Sequence, residues 1–593
     1  MKNIQLIIDN KAVEVAEGTT ILEAAQKVGI HIPALCHMKM DDINIENRPG
    51  GCRICSVEVK GKRNLSPACA TKCLDGMEVK TNTIRVIHAR RNILELIISD
   101  HPYECLTCAK SGQCELQTMA QDLGIREIHF EGEKSTYRED FSKAIIRDMD
   151  KCILCRRCIT MCSDFQTVHA LSAVERGFEA VVSPAFHMDL NESSCTFCGQ
   201  CVAVCPTGAL SEADYSKDVI QALANPEYTV IAQTAPAVRA ALGESFGYPV
   251  GTSVTGQMVT ALKNLGFDYV FDTDFAADMT IMEESAELLE RLTRHLEGDK
   301  TVKLPILTSC CPAWVRFIEQ NFPDMKEIPS TTRSPQQIFG AIAKSYFAEK
   351  IGVPREKLIV VSIMPCVAKK YECERDEFKV DGDPDVNFSI TTRELARLIK
   401  ISNIDFKQLE PSEFDQPLGE STGAGLIFGT TGGVIEAATR TAYELQTGKK
   451  LENIDFESLR GMDAIRSATV DFDGLPIKIG IAHGLGHARK LLEEIQEGRC
   501  HYHAIEIMSC PGGCIGGGGQ PFHHNKTSIL LERQKAIYSE DKQMKIRKSH
   551  ENASVMKVYE EFLGHPLSEK AEHLLHTSYF DRSSQITIDD SEM

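Results

Sequence analysis

The chain has 593 residues, enough for several domains that each bury a core. Its 65 basic against 84 acidic residues give a net charge of -19, which argues against nucleic acid as a partner, and it has no apolar run of about 18 residues to span a membrane. The N-terminus alternates like a strand and lacks a secretory apolar core, so the 23 cysteines read as metal ligands of a cytoplasmic protein rather than as disulfides.

Residues 1–80 predict a small mixed-sheet domain. IQLIID and KAVEV form a hairpin about Asn10-Lys11, Thr19 or Thr20 caps a short helix through Leu22 to Val28, and SVEVKG adds a strand. Cys36, Cys52, Cys55 and Cys69 are spread through it. The segment resembles a plant-type ferredoxin with an insertion between Cys36 and Cys52, which implies a 2Fe-2S cluster on these four thiolates. Cys73 is a fifth candidate ligand, and zinc is the alternative metal.

Residues 81–125 carry His101, Cys105, Cys108 and Cys114 in HPYECLTCAKSGQC. One imidazole and three thiolates suit zinc as readily as iron, but the position between two iron-sulfur segments favours a 4Fe-4S cluster. In residues 140–215 an internal repeat appears. Cys152, Cys155, Cys158 and Cys162 follow Cys-x2-Cys-x2-Cys-x3-Cys, and Cys195, Cys198, Cys201 and Cys205 repeat the spacing, with Pro206 after the last. This is the two-cluster bacterial ferredoxin pattern, in which the fourth cysteine of each run serves the other cluster. One 4Fe-4S cubane is therefore expected on Cys152, Cys155, Cys158 and Cys205, the other on Cys195, Cys198, Cys201 and Cys162.

From residue 226 to 524 apolar runs alternate with amphipathic helices, the pattern of parallel α/β architecture. YTVIAQTA leads to VRAALGESF, LPILTSCC to PAWVRFIEQN, KLIVVSIMPC to VAKKYE, and IKIGIAHG to HARKLLEEIQ. Cys310 and Cys311 end one predicted strand, Cys366 another, and Cys510 follows a third, so separate strands deliver thiols to one crevice at their C-termini. In EIMSCPGGCIGGGGQP, Cys510 and Cys514 adjoin Gly516 to Gly519. Thiolates beside backbone without side chains suggest an inorganic group lying against the main chain, a flexible loop being the alternative. Residues 525–593 read as a polar helical tail, with helices over SVMKVYEEFLG and LSEKAEHLLHTSYF. His523, His524 and His576 are expected at the surface, and Cys373 and Cys500 as structural thiols.

TSCCPAW at Thr308 to Trp314, MPCVAKKYE at Met364 to Glu372 and EIMSCPGGCIGGGGQP resemble the three signature loops of the iron-only (FeFe) hydrogenases. The ferredoxin-like segments resemble the family's N-terminal extension, and VYEEFLGHPLSEKAEHLLHTSY its small-subunit-like tail. The arrangement is most similar to the catalytic subunit of NAD(P)-linked, multi-subunit hydrogenases. The resemblance implies a multidomain α+β and α/β fold: a plant-type ferredoxin (β-grasp) domain, a His/Cys cluster segment, a two-cluster ferredoxin domain, and a large α/β catalytic domain with a helical tail.

The resemblance further implies an H-cluster. Cys311, Cys366, Cys510 and Cys514 would hold its 4Fe-4S part, with Cys514 bridging to a diiron centre bearing CO, cyanide and a dithiolate. Lys369 would reach a cyanide as a charged donor, and the glycines with Pro236 would make close contacts. Met364, Met508 and Phe428 would pack around the diiron site, ordinary core packing being the alternative. The implied activity is reversible oxidation of H2 to protons and electrons, in which iron acts as a Lewis acid and a nearby base takes the proton. Cys310 is that base by motif position, and Glu284, Glu287 and Ser330 continue the path, with Arg291 near its outer end. Glu284 and Glu287 lie three apart and share a helix face, which by itself is the pattern of a solvated surface. One 2Fe-2S and three accessory 4Fe-4S clusters would relay electrons to ferredoxin and/or flavin- and NAD(P)-binding partner subunits. Gly484 to Ala488 does not complete a dinucleotide fingerprint. A hydrogen-sensing or noncatalytic iron-sulfur assembly relative is the alternative function.

Overall fold

The computed structural model describes residues 2–133 and 136–586, so residues 587–593 of the expected tail lie outside it. Strands β1 (Asn3–Ile8) and β2 (Lys11–Ala16) pair antiparallel. Asp9 and Asn10 between them both have positive φ, the two-residue turn that matches strand twist. Thr20 caps α1 (Ile21–Lys27) in a reciprocal capping box with Glu23. With β3 (Ser56–Val59), β4 (Ser66–Pro67) and β5 (Glu78–Lys80) the sheet runs β2-β1-β5-β3-β4. Helices α2 (Ile84–Ser99) and α3 (Glu115–Asp122) then bracket the His/Cys segment.

The cysteine repeat folds as a structural repeat. A three-stranded antiparallel sheet of β6 (Asp140–Phe141), β7 (Ile145–Arg147) and β8 (Leu210–Glu212) backs two short helices, α4 (Arg157–Thr160) and α5 (Gln200–Val204). Arg156 and Gly199 precede these helices in the same left-handed conformation, so each cysteine run wraps identically before its helix begins.

The catalytic region builds two sheets. The first, β10-β9-β12-β13, is all parallel and comprises β9 (Thr229–Thr234), β10 (Tyr269–Asp272), β12 (Leu358–Met364) and β13 (Phe388–Thr391). In the second, β11 (Ile306–Leu307), β16 (Ala504–Met508) and β15 (Leu475–His483) run parallel, and β14 (Ile465–Phe472) is an antiparallel edge. The thiol-bearing strands therefore belong to different sheets: Cys366 follows β12, whereas Cys310, Cys311 and Cys510 follow β11 and β16. The helix expected after YTVIAQTA shortens to α6 (Pro236–Arg239) and a 3-10 turn at Leu242–Phe246. Helix α7 (Thr273–Leu296) carries TIMEESAEL, helix α8 (Pro312–Asn321) starts at the TSCCP loop, and α9 (Ala368–Cys373) follows the MPC loop. Glu506 in β16 is fully buried and accepts the amides of Gly432 at 2.6 Å and Ile435 at 3.0 Å. It thus caps α10 (Gly433–Thr447) with a carboxyl that burial pushes up to about 7 against the opposing Gly432 and Ile435 amides.

The tail corrects two expectations. It is helical through α11 (Thr527–Gln543), α12 (Ala553–Val558) and α13 (Glu569–Leu575), but α13 stops before His576. The HTSYF segment is not helical: the Thr577 amide donates to the Thr331 carbonyl at 2.7 Å, and Thr332 and His576 form a β-bridge. His523 is 3% exposed, and the His576 side chain is 8% exposed. Neither is a surface histidine, because the tail packs onto the catalytic domain.

The four consecutive glycines are required by close backbone approach, since none of them has positive φ. A Cβ on Gly516 would lie 2.1 Å from the Pro511 carbonyl oxygen, on Gly517 2.2 Å from that of Pro365, and on Gly518 2.6 Å from that of Gly199. Arg393 donates to the carbonyls of Gly518 and Gln520, and Arg533 to those of Ile515 and Pro521, so the loop is clamped from both sides. Gly518→Ala is expected to destabilise the apoprotein by about 2 kcal/mol through overpacking; urea unfolding measures this, and a change under about 0.5 kcal/mol would mean that the loop yields.

Candidate active site and metal centres

The two sheets deliver their thiols to one enclosed cavity of about 80 Å³. It is lined by Cys310, Cys311, Cys366, Cys510, Cys514 and Lys369, and by Pro236, Met364, Phe428 and Met508. Gly513 and Gly517 reach the wall, whereas Gly516 and Gly518 face other backbone and Gly519 the Thr391 side chain. The glycine run thus mostly closes protein against protein, and only part of it meets the cavity. A larger cleft of about 770 Å³, lined by residues such as Gln113, Glu244 and Phe522, contains no thiol.

The donor set fits a metal cluster. Burial, then the Cys311 charge, pushes the Cys366 thiol up to about 12. Cys510 and Cys514 are likewise raised, first by burial and then by the Cys366 and Cys311 thiolates. Thiolates cannot share a dry cavity without compensating positive charge, and iron supplies it. Lys369 donates to Glu372 Oε2 at 2.8 Å and to the Cys310 carbonyl at 3.1 Å, which holds its ammonium at the cavity wall. Ser509 Oγ lies 3.2 Å from Cys311 Sγ.

Cys310 leads away from the cavity towards α7. Burial raises its thiol far above the ordinary range, and Glu284 is the foremost charge adding to this. The Glu284 carboxyl is pushed up to about 8, by burial first and then by Glu287, with the Ser309 amide opposing. A carboxyl raised in this way favours the folded state when protonated. That contribution is complete below the ordinary carboxyl range and is lost as pH rises through about 8. Glu284 therefore carries a proton at neutral pH, and its Oε1 is buried without a hydrogen-bond partner. Further out, Ser330 Oγ donates to Glu287 Oε2 at 2.6 Å, and Arg291 pairs with Glu287 Oε1 and the Ile328 carbonyl. Ser330 is 1% exposed, so this line of groups runs through protein rather than along a solvated helix face.

The remaining thiols gather in sets. In the N-terminal domain Cys55 Sγ and Cys69 Sγ lie 3.3 Å apart, and the amides of Cys52 and Gly50 point at Cys36 Sγ and Cys69 Sγ at 3.4 and 3.2 Å. Amides aimed at sulfur suit cluster-bound thiolates. Cys73 lies in the same apolar core as Cys55 and Cys69, and burial, then the Glu23 charge, pushes its thiol up to about 11. Cys162, Cys195, Cys198 and Cys201 line one small cavity. Cys158 is raised by burial and then by Cys155, Cys152 and Cys205, the other expected set. His101 is mostly buried with Nδ1 unpartnered, and burial holds its pKa below the ordinary value, leaving the neutral imidazole a metal requires. Cys105 is exposed, Cys114 precedes α3, and Cys108 Sγ packs against Gly208. Among the leftover thiols, Cys373 Sγ donates to the Lys369 carbonyl at 3.2 Å.

Contacts between the sets were not legible in any motif. Asn47, 1% exposed in the inserted loop, donates to the carbonyls of Cys36 at 2.7 Å and Cys155 at 3.0 Å. Glu115 receives both Arg157 guanidinium nitrogens, at 2.8 and 2.9 Å, and its amide donates to Pro206. Gln200 donates to the Gly516 carbonyl at 3.0 Å and Gln166 to that of Ser509 at 2.7 Å. The N-terminal thiols and the His/Cys segment thus both adjoin the Cys152 set, while the Cys198 set adjoins the catalytic loop.

Comparison with known proteins agrees with this architecture. Residues 228–518 match the iron only hydrogenase large subunit, C-terminal domain, and residues 527–582 the iron hydrogenase small subunit. Residues 1–84 match a 2Fe-2S iron-sulfur cluster binding domain, 90–129 the NADH-ubiquinone oxidoreductase-G iron-sulfur binding region, and 151–209 a 4Fe-4S dicluster domain. The NADP-reducing hydrogenase subunit HndD of Solidesulfovibrio fructosivorans is 60% identical over 98% of this chain and 100% of its own length. The chain belongs to the iron-only hydrogenases. Iron hydrogenase 1 of Clostridium pasteurianum is 37% identical over 97% of this chain and 99% of its own. An FeFe hydrogenase HydA1 structure from Chlamydomonas reinhardtii superposes with a TM-score of 0.56 at 41% identity, covering 62% of this chain and 99% of that one.

As an iron-only hydrogenase the chain is an oxidoreductase that interconverts H2 with protons and electrons, and its iron-sulfur domains relay the electrons. Among the described residues no helix is long and apolar enough to cross a membrane. The choice between Cys69 and Cys73 is open to test: Cys73→Ser is expected to keep the 2Fe-2S signal in electron paramagnetic resonance, and Cys69→Ser to lose it with the corresponding iron.

Proposed function

We propose that Cys311, Cys366, Cys510 and Cys514 hold the H-cluster, and that Cys310, Glu284, Ser330 and Glu287 carry its protons. The observation that carries this reading is the shared cavity: all five thiols and Lys369 line it, with the buried Glu284 carboxyl beside Cys310. When bound, the H-cluster supplies the Lewis-acidic iron chemistry at which H2 is split or formed. Lys369 directs a charged donor at that group, and Pro236, Met364, Phe428 and Met508 exclude water around it. The Cys310 thiol takes up or delivers the proton, and Glu284, protonated at neutrality, stands next in line to exchange it. Ser330 and Arg291 hold the Glu287 carboxylate at the outer end.

On the electron side, we assign one 2Fe-2S cluster to Cys36, Cys52, Cys55 and Cys69. Three accessory 4Fe-4S clusters fall to the His101 set with Cys105, Cys108 and Cys114, the Cys152 set and the Cys195 set. The contacts described above make the Cys152 set a branch point with two outlets, and Cys105 is exposed at one of them. Ferredoxin and/or flavin- and NAD(P)-binding subunits take the electrons there, a reading supported by the 60% identical NADP-reducing hydrogenase subunit. Cysteines that serve as cluster ligands rather than disulfides suit a reducing compartment, the cytoplasm.

Two experiments test these assignments. Cys310→Ala is expected to abolish H2 turnover with iron content intact; native turnover in that variant would remove Cys310 from the path. The isolated chain is expected to reduce protons with an artificial donor but not with NAD(P)H, and NAD(P)H-dependent H2 production by the single chain would place a nucleotide site within it.

A further inference from the structure

The proton line described above ends at Glu287, which is itself 7% exposed, so a further group must pass the proton on. The C-terminal extension lies beside that end. The Arg333 amide donates to the Leu575 carbonyl at 2.7 Å and its Nε to the His576 carbonyl at 2.9 Å, and the Tyr579 hydroxyl donates to the Ser330 carbonyl. This fixes the His576 ring between α7 and the Ser330–Thr332 segment. His576 Nδ1 lies 2.8 Å from Thr331 Oγ1, and Thr331 Oγ1 lies 3.5 Å from Glu287 Oε1. On its other side His576 Nε2 lies 3.1 Å from Glu283 Oε2.

Glu283 is fully buried and also accepts the Tyr559 hydroxyl and, at 2.8 Å, the Leu567 amide, so its carboxylate cannot turn away. A carboxylate fixed on one ring nitrogen holds that nitrogen protonated and leaves the other as an acceptor. Nε2 therefore keeps its proton on Glu283, and Nδ1 faces the Thr331 hydroxyl with a free lone pair. Glu283 and Glu287 lie four apart on α7 and share a face, so one helix sets Glu283 on the ring and Glu287 beside the Thr331 hydroxyl that the ring faces.

We infer that His576, on the C-terminal extension, is the proton acceptor beyond Glu287, reached through the Thr331 hydroxyl and oriented by Glu283. This rests on the relay proposed above. The Glu287 carboxyl gives its proton to Thr331 Oγ1 as the Thr331 hydroxyl proton passes to His576 Nδ1. No covalent bond other than O–H and N–H changes, and the resulting imidazolium is balanced by the Glu283 carboxylate. In H2 production the same transfers run inward. The extension is then part of the proton path as well as a cover for the catalytic domain.

The test uses the full-length, cluster-loaded enzyme with His576→Ala, His576→Gln and Glu287→Gln. His576→Ala is expected to lower kcat on the order of 10²-fold with KM for H2 unchanged, to enlarge the solvent isotope effect, and to recover turnover when imidazole is added. His576→Gln keeps a hydrogen-bonding side chain in the gap but is expected to stay slow, because an amide does not accept the proton. Nitrogen NMR of the apoprotein is expected to find the His576 ring protonated on Nε2. Native turnover in His576→Ala, or a loss that imidazole does not restore, overturns the inference and leaves His576 an anchor of the extension. Native turnover in Glu287→Gln instead overturns the relay itself, so the two readings fail separately.

Discussion

The contact on which the molecule turns is backbone against backbone. At Gly517 and Gly518 the catalytic loop lies so close to the carbonyls of Pro365 and Gly199 that no Cβ fits between them. One contact locks the loop carrying Cys510 and Cys514 onto the loop carrying Cys366, and the other locks it onto the cysteine run of the second ferredoxin repeat. A Cβ at either position would have to push these segments apart by about 1 Å to reach an ordinary contact, and would shift the thiols they carry. Arg393 and Arg533 hold the carbonyls that the glycines expose. The loop is therefore rigid by contact, although its composition is that of a flexible linker.

Burial sets the chemistry of what this contact assembles. Thiols in dry surroundings favour the protonated form, and their neighbours' charges add to the effect. Iron binding reverses that preference, so the cavities accept clusters and are poor hosts for free thiolates. The same dryness acts on Glu284, whose carboxyl is raised to about 8 and so holds a proton beside Cys310. The groups around the centre divide between two neighbourhoods. The carboxylates of α7 run one way, and Gly199 and Gln200 lie the other way, towards the ferredoxin repeats.

The C-terminal extension belongs to this arrangement. Glu283 ties Tyr559, Leu567 and His576 to the helix that carries Glu284 and Glu287, and Tyr579 holds the Ser330 carbonyl. A segment that reads as a polar appendage thus fixes the surroundings of Glu283 and Ser330. Asn47 plays a comparable part on the electron side, where an insertion in the first domain supplies the side chain that joins it to the second.

The sequence alone determined the metal chemistry and the family. Cysteine spacing is a local property, set by how a few residues wrap a cluster, and the repeat at Cys152 and Cys195 or the TSCCP, MPC and CPGGC loops keep that property in one dimension. Strand and helix identities in the catalytic region were also legible, because alternating apolar runs are local. Tertiary structure alone decided that the strands split into two sheets, that Glu506 caps a helix begun at Gly433, and that Asn47, Gln200 and His576 join segments from 108 to 316 residues apart. Those residues carry no spacing signal, since each is a single polar side chain whose partner is a backbone atom or side chain remote in sequence. The glycines of Gly516 to Gly519 stand between the two cases. Their composition announced a close approach, and only the packing named Pro365 and Gly199 as what they approach.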